Sequence, residues 1–219
     1  MKIKNWLKFN ESEPQIMNPK NLFQFGHRAP NLPSTCYLTD IDGLVYKNEQ
    51  YICLIENKTS KVNDIYDFKN PKSYQRQALL EFSNNICDKN EIIDSTLILI
   101  DNKQCFEISK NETKEIELYE FMYSIRKSGA VLSDIKDNIY LEFRTRGNTI
   151  EIVGVMYLKN SYTPFTDDLI NKTSEYYNVF EVDISEDEKI SITNIKNKNK
   201  AFIQSPEDWI TAYQKLELL

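Results

Sequence analysis

Residues 36–46, CYLTDIDGLVY, and residues 51–59, YICLIENKT, decide how this chain is read. Both runs are apolar, β-branched and aromatic, and only Lys47-Asn48-Glu49-Gln50 separates them. Two such runs across a short polar link signal a β-hairpin. The charged residues inside them are the anomaly. Asp40, Asp42, Glu56 and Lys58 interrupt segments that otherwise belong in a core, where an unpaired charge is costly.

Upstream of the hairpin, residues 1–35 are irregular, broken by Asn18-Pro19, Pro30 and Pro33, with room for a short helix near 5–9 or 19–25. Downstream, Asn70-Pro71 breaks the chain and Ser73 is placed to cap a helix over Tyr74–Ile86, with Leu79, Leu80 and Phe82 facing the core. Ser95–Ile100 (STLILI) reads as a buried strand that Gln104–Ile108 can join. Glu115–Arg126 fits a helix by its spacing and a strand by its aromatics. Ile139–Thr145 and Thr149–Leu158 alternate as strands around a turn at Arg146-Gly147-Asn148. A helix over Asp167–Tyr177, a second hairpin over Val179–Ile184 and Lys189–Ile195, and a helix from Ser205-Pro206 through Leu218 complete the pattern. The expectation is one α/β domain over residues 1–219. It has a mixed-sheet core at about 26–108 and an antiparallel α+β elaboration at about 109–219.

Composition excludes several classes of function. Glycine is scarce, at 5, and neither GxGxxG nor GxxxxGK[ST] occurs. His27 is the sole histidine, which rules out multi-histidine metal centres. Cysteines 36, 53, 87 and 105 form no CxxC pair, so reduced, buried thiols and no iron–sulfur cluster are expected, as in a cytoplasmic protein. No apolar run reaches the roughly 18 residues of a membrane span, and the N-terminus lacks the apolar stretch of a signal peptide. The net charge of −6 is uneven: residues 1–80 carry 11 basic and 8 acidic residues (+3), and residues 81–219 carry 16 and 25 (−9). An acidic total argues against coating long DNA, but it allows a local basic groove.

If residues 36–46 form one strand, Asp40 and Asp42 share a face. Glu56 and Lys58 share one in the same way, and a hairpin gathers all four. Converging carboxylates suit Mg²⁺ or Mn²⁺, and a neighbouring ammonium can neutralise a phosphate oxygen and orient a water. Glu-x-Lys alone carries no weight, since the composition yields roughly two by chance. The other instance, Glu112-Thr113-Lys114, lies in a polar stretch where no strand is expected.

With its upstream acid and its strand context, YLTDIDGLVY…YICLIENKT resembles the core of the PD-(D/E)xK, or restriction-endonuclease-like, nuclease superfamily. GHRAPNLPSTCYLTDID also resembles a nuclease-like group with a His-Arg pair ahead of such a strand. The likeness covers about residues 26–82; Thr39 stands where the superfamily's name places proline. It implies a Mg²⁺- or Mn²⁺-dependent nuclease acting on nucleic acid, DNA above all, possible as a homodimer. Asp42 and Glu56 would bind metal with the Asn57 backbone carbonyl. Lys58 would be the catalytic lysine, positioning a water for attack on phosphorus, and Asp40 an auxiliary acid. Tyr74, Gln75 or Gln77 would stand on the following helix near the site, Glu11 or Glu13 could add an acid, and His27 and Arg28 would join the site and the DNA contact.

Asp40-Ile41-Asp42-Gly43 also resembles the first motif of haloacid dehalogenase-type phosphatases, with Thr163–Asp168 (TPFTDD) as a possible acidic partner. A second strand follows at once where that family has a helix, so the nuclease is preferred. A degenerate nuclease that only binds, or a salt-bridge ladder on a hairpin, are the remaining alternatives. Arg144 and Arg146 flank a turn and could touch phosphates, as could Lys196–Lys200 (KNKNK), for which a flexible polar loop is the plainer expectation.

Overall fold

The computed structural model describes residues 36–58, 68–88, 91–135, 139–159, 165–185, 189–203 and 208–216. The chain divides into two compact units. One takes in the described residues of Asp40–Lys136 and Thr163–Tyr176; the other takes in those of Met1–Thr39, Asp137–Tyr162 and Tyr177–Leu219. Neither unit is one continuous stretch.

The stretch 36–46 is not one strand. β1 (Cys36–Asp40) ends at Asp40, and β2 (Gly43–Lys47) begins after Ile41 and Asp42. The two strands lie in different sheets. This corrects the expectation that Asp40 and Asp42 alternate along a single strand. Ile41, 1% exposed, is the apolar anchor of the break between them.

β2 pairs antiparallel with β3 (Gln50–Lys58). Their turn, Asn48-Glu49, has positive φ at both residues, 48° and 66°, the twist that matches a two-residue hairpin. α1 (Tyr74–Ile86) follows, capped by Ser73, whose side chain accepts from the Arg76 N–H. It returns the chain to β4 (Leu97–Asp101), which runs parallel to β3. β5 (Gln104–Ile108) and β6 (Thr113–Ile116) continue antiparallel. The polar stretch around Glu112-Thr113-Lys114 is therefore an edge strand, contrary to expectation. Lys114 pairs there with Glu107 at 3.4 Å.

The ambiguous segment resolves into the end of β6 and α2 (Leu118–Ser128), which stops at Gly129 in the left-handed conformation. β7 (Val131–Asp134) closes the edge against β2, giving the order β6-β5-β4-β3-β2-β7. Phe121 and Ile125 of α2 pack with Val45, Cys53, Ile55, Ile98 and Cys105. Alternation sends Leu54, Glu56, Lys58, Leu97 and Leu99 to the opposite face, against which α1 lies. This is a mixed sheet with helices on both faces. α3 (Asp167–Ser174) completes the unit, capped by Thr166. Cys53, Cys87 and Cys105 are free and buried.

The other unit holds β1, β8 (Ile139–Arg146), β9 (Thr149–Leu158), β10 (Asn178–Ile184), β11 (Ile190–Asn194) and β12 (Lys200–Ile203), in that order across the sheet. α4 (Asp208–Lys215) lies against β12. The expected antiparallel pattern is found at β8–β9, β10–β11 and β11–β12. It is corrected at β9–β10, which run parallel because the intervening chain forms a crossover containing α3. Gly154 of β9 lies under Phe180, where a Cβ would come within 2.6 Å of the ring. Among the described residues no helix is long and apolar enough to cross a membrane.

Candidate functional site

β3 is central in its sheet, so its residues are covered from both faces, and Glu56 near its C-terminal end is only 3% exposed. Burial pushes the Glu56 carboxyl up to about 8, reinforced by the nearby charges of Asp42 and Asp40 and opposed by Lys58. Lys58 Nζ donates to Glu56 Oε1 at 2.5 Å, and Gln75 Nε2 donates to the same oxygen at 3.1 Å. Lys58 also reaches Gln75 Oε1 at 3.4 Å. The other Glu56 oxygen, Oε2, is buried and finds no hydrogen-bond partner among the described residues. An orphaned buried carboxylate oxygen marks a place where something else is bound or where energy is stored.

Two structural choices bring these groups together. Parity on β3 puts Glu56 and Lys58 on the face covered by α1. The Ser73 cap fixes the start of α1, so Gln75, in its first turn, projects over that face. Lys58 Nζ lies 5.5 Å from the centre of the Phe68 ring, which is buried and favours the cation over its face.

Asp42 is held at two points. Its backbone carbonyl accepts from Ile135 N–H at 3.1 Å, and its Oδ2 accepts from Asn57 N–H at 2.7 Å. The carboxylate thus caps the ladder just beyond the first β2 pair, Gly43 with Ile55. That bond uses one lone pair of an oxygen that carries two.

The structure therefore brings together Asp42, Glu56, Lys58 and Gln75, with Asp40 near enough to act on Glu56. Gln77 is turned elsewhere, donating to Pro71 O at 2.8 Å, and Tyr74 is exposed. His27, Arg28, Glu11 and Glu13 lie outside the described residues. Arg144 and Arg146 belong to β8, in the other unit, and Arg146 pairs with Glu151 at 3.6 Å. Asp167 and Asp168, the acids of TPFTDD, occupy the first turn of α3, where a helix start accounts for them.

Sequence reasoning missed two neighbours. Asp101, buried at the end of β4, is the register partner of Lys58. An acid closing the apolar run STLILID was the available signal. Arg76 is 1% exposed and donates to Lys69 O, Thr113 Oγ1, Ser109 O and Glu112 O, each at 2.8 Å. Nothing in the sequence set this arginine apart from a solvated one.

Among the described residues, no three His, Cys, Asp or Glu side chains cluster so as to hold a metal by themselves. Two carboxylates and the Asn57 carbonyl nonetheless suit the chemistry of Mg²⁺, which binds through one or two carboxylates and keeps waters and phosphate oxygens for the rest of its shell. The orphaned Glu56 Oε2 fits that role. Compared with protein-family models, with curated proteins and with solved structures, the chain finds no match.

Proposed function

We propose that this protein is a divalent-metal-dependent nuclease that hydrolyses phosphodiester bonds, DNA being the favoured substrate, on a restriction-endonuclease-like core formed by β2, β3, α1 and β4. One observation carries the reading. A nearly fully buried glutamate gives one oxygen to a lysine and a glutamine, and its other oxygen has no partner among the described residues, beside a second acid.

Asp42, Glu56 and the Asn57 carbonyl would hold Mg²⁺ or Mn²⁺. When bound, such an ion neutralises phosphate charge and makes a water more acidic. Gln75 and Lys58 both donate to Glu56 Oε1 and hold the carboxylate in place before the reaction begins. The Lys58 ammonium carries three donors; one is spent on Glu56, a second leans on Gln75 Oε1, and the third can reach a phosphate oxygen or the attacking water. A water oxygen bonds to phosphorus as the ester P–O bond opposite it breaks, and Lys58 stabilises the added negative charge. Asp40 adds negative potential that favours the cation.

The test is a cleavage panel of plasmid, linear duplex, single strand, branched junction and RNA. Each is run with Mg²⁺, with Mn²⁺ and with EDTA, beside Glu56→Gln. Metal-dependent cutting that the variant loses supports the reading. Cutting that survives in Glu56→Gln overturns the site assignment, and turnover of a phosphomonoester without any strand cutting overturns the nuclease.

A further inference from the structure

The turn between β11 and β12, residues 195–199, carries a run of lysines that the site on β3 does not use. Lys196, Lys198 and Lys200 are all exposed. No acid occurs between Asn194 and Gln204, so this segment is +3 inside a half of the chain that totals −9.

The segment is not a loose polar loop. Asn194, 2% exposed, organises it from below: its Oδ1 accepts from Lys196 N–H at 2.9 Å and from Asn197 N–H at 3.3 Å. Its carbonyl accepts from Lys198 N–H at 2.9 Å, and its N–H donates to Asn199 O at 2.8 Å. Asn197 Oδ1 accepts from Asn199 N–H at 2.9 Å. Lys198 is held at φ 61°, a conformation that a lysine adopts only at a cost and that glycine or asparagine would take with less. The surroundings over-determine that strain, and such strain concentrates where a side chain must point in one direction.

β12 continues the pattern. It is an edge strand whose burial alternates, with Ala201 and Ile203 inward and Lys200 and Phe202 outward. Phe202 is 56% exposed, and Lys200 Nζ lies 5.2 Å from its ring centre. A lysine on an edge strand can serve merely to prevent edge pairing. That accounts for Lys200 but not for Lys196, Lys198 or the exposed ring. The acids in the same rows of the sheet, Glu181 and Asp183, act on Lys159, and Glu181 bonds it at 3.1 Å.

We infer that the β11–β12 turn and the outer side of β12 bind single-stranded nucleic acid. Lys196, Lys198 and Lys200 would contact successive phosphates, and Phe202 would stack on an unpaired base. An exposed ring beside a cation is what single-strand binding uses, because every base offers a π face while a duplex keeps its faces covered. The inference names a second contact for the substrate class proposed above, and it rests on that reading only for the identity of the polymer.

The experiment measures binding of a labelled oligothymidylate strand in EDTA, where no metal-dependent cutting occurs, across a salt series. The intact chain is compared with K196Q/K198Q/K200Q, with Phe202→Ala and with Glu56→Gln; thermal melting confirms folding. The triple variant should bind at least tenfold more weakly, with the slope of log K against log salt reduced by about 2, and Phe202→Ala should lose about tenfold. Glu56→Gln should bind as the parent does. Unchanged affinity and slope in the triple variant overturn the inference, even if the protein cuts DNA. Equal binding to poly-glutamate also overturns it, by making the surface a general polyanion site. Lysine-dependent strand binding by a protein that cuts nothing supports the inference and removes the nuclease instead.

Discussion

Lys58 and Glu56 stand two residues apart on β3, and the ammonium of one donates to Oε1 of the other at 2.5 Å, while Oε2 has no partner among the described residues. Under the proposed function, half of the glutamate serves for positioning and half for the metal. Lys58 is 17% exposed and Glu56 is 3% exposed, so substrate can reach the lysine while the acid is screened from bulk water.

Removing the ammonium should therefore abolish chemistry while leaving the fold. Lys58→Ala is expected to lower metal-dependent cleavage by about a hundredfold or more, the range seen when one charge-stabilising donor is lost. Lys58→Arg should not restore it, because a planar guanidinium cannot meet both Glu56 and Gln75 in the same geometry. Single-turnover cleavage rates measure this. Full activity in Lys58→Ala would remove the lysine from the mechanism.

Gln75 contacts both Glu56 and Lys58 and is a positioning residue. Gln75→Ala is expected to cost about tenfold in cleavage rate, with Gln75→Glu worse because it places a third acid against a buried carboxyl. A rate unchanged in both variants would show that α1 contributes nothing to the site.

The Glu56 carboxyl has a definite pH signature. Its pKa is raised from 4.5 to about 8 in the folded protein, chiefly by burial. Below pH 4.5 the group is protonated in both states and its contribution is fully present; as pH rises through about 8 the folded state must ionise a buried acid, and stability is lost. In EDTA the melting temperature should fall between pH 5 and 8, and Glu56→Gln should flatten that fall. Mn²⁺ should oppose the fall, since the cation displaces the proton. An identical pH profile in the variant would assign the dependence to another group.

Much of this site is legible in the sequence because its signals are local. The acid, the hairpin spacing, Glu56-x-Lys58 and the capped helix after Asn70-Pro71 all depend on residues within a short span. What escaped depends on distance. The break at Ile41 follows from β1 and β2 joining different sheets, and periodicity within CYLTDIDGLVY cannot report a change of partner. The parallel β9–β10 pair escaped because the connection between them carries α3, which belongs with residues far earlier in the chain. Asp101 became a site neighbour only through the parallel register of β3 and β4. Arg76 is buried by the β5–β6 turn, residues 109–112, which no helical pattern around position 76 foretells.

The β2–β3 turn offers a test of backbone chemistry. Glu49 sits at φ 66°, where a residue with a Cβ is strained by about 1 kcal/mol. Glu49→Gly should stabilise the protein by about 0.5–1 kcal/mol, because glycine is the preferred second residue of such a turn. Urea unfolding gives the number. Destabilisation would mean that the Glu49 side chain, though exposed, does something that its strain conceals.

Arg76 supplies the last prediction, and it joins stability to the site. Its guanidinium ties the chain before α1, at Lys69, to the β5–β6 turn at Ser109 and Glu112 and to Thr113 on β6. Among the described residues these partners are carbonyl and hydroxyl dipoles, with no carboxylate. Arg76→Ala removes four charge-assisted bonds made by a buried side chain, each worth about 1.5–3 kcal/mol. A loss of about 3 kcal/mol or more is expected. Arg76→Lys should recover little of it, because one ammonium with three donors cannot span four acceptors set around a planar fork. Arg76→Lys also tests how the helix is held. Gln75 is the adjacent residue, so a variant that folds at low temperature should still show reduced cleavage with the parent's pH profile. Normal cleavage in a destabilised Arg76→Lys protein would separate the two roles and leave the arginine a purely structural clamp.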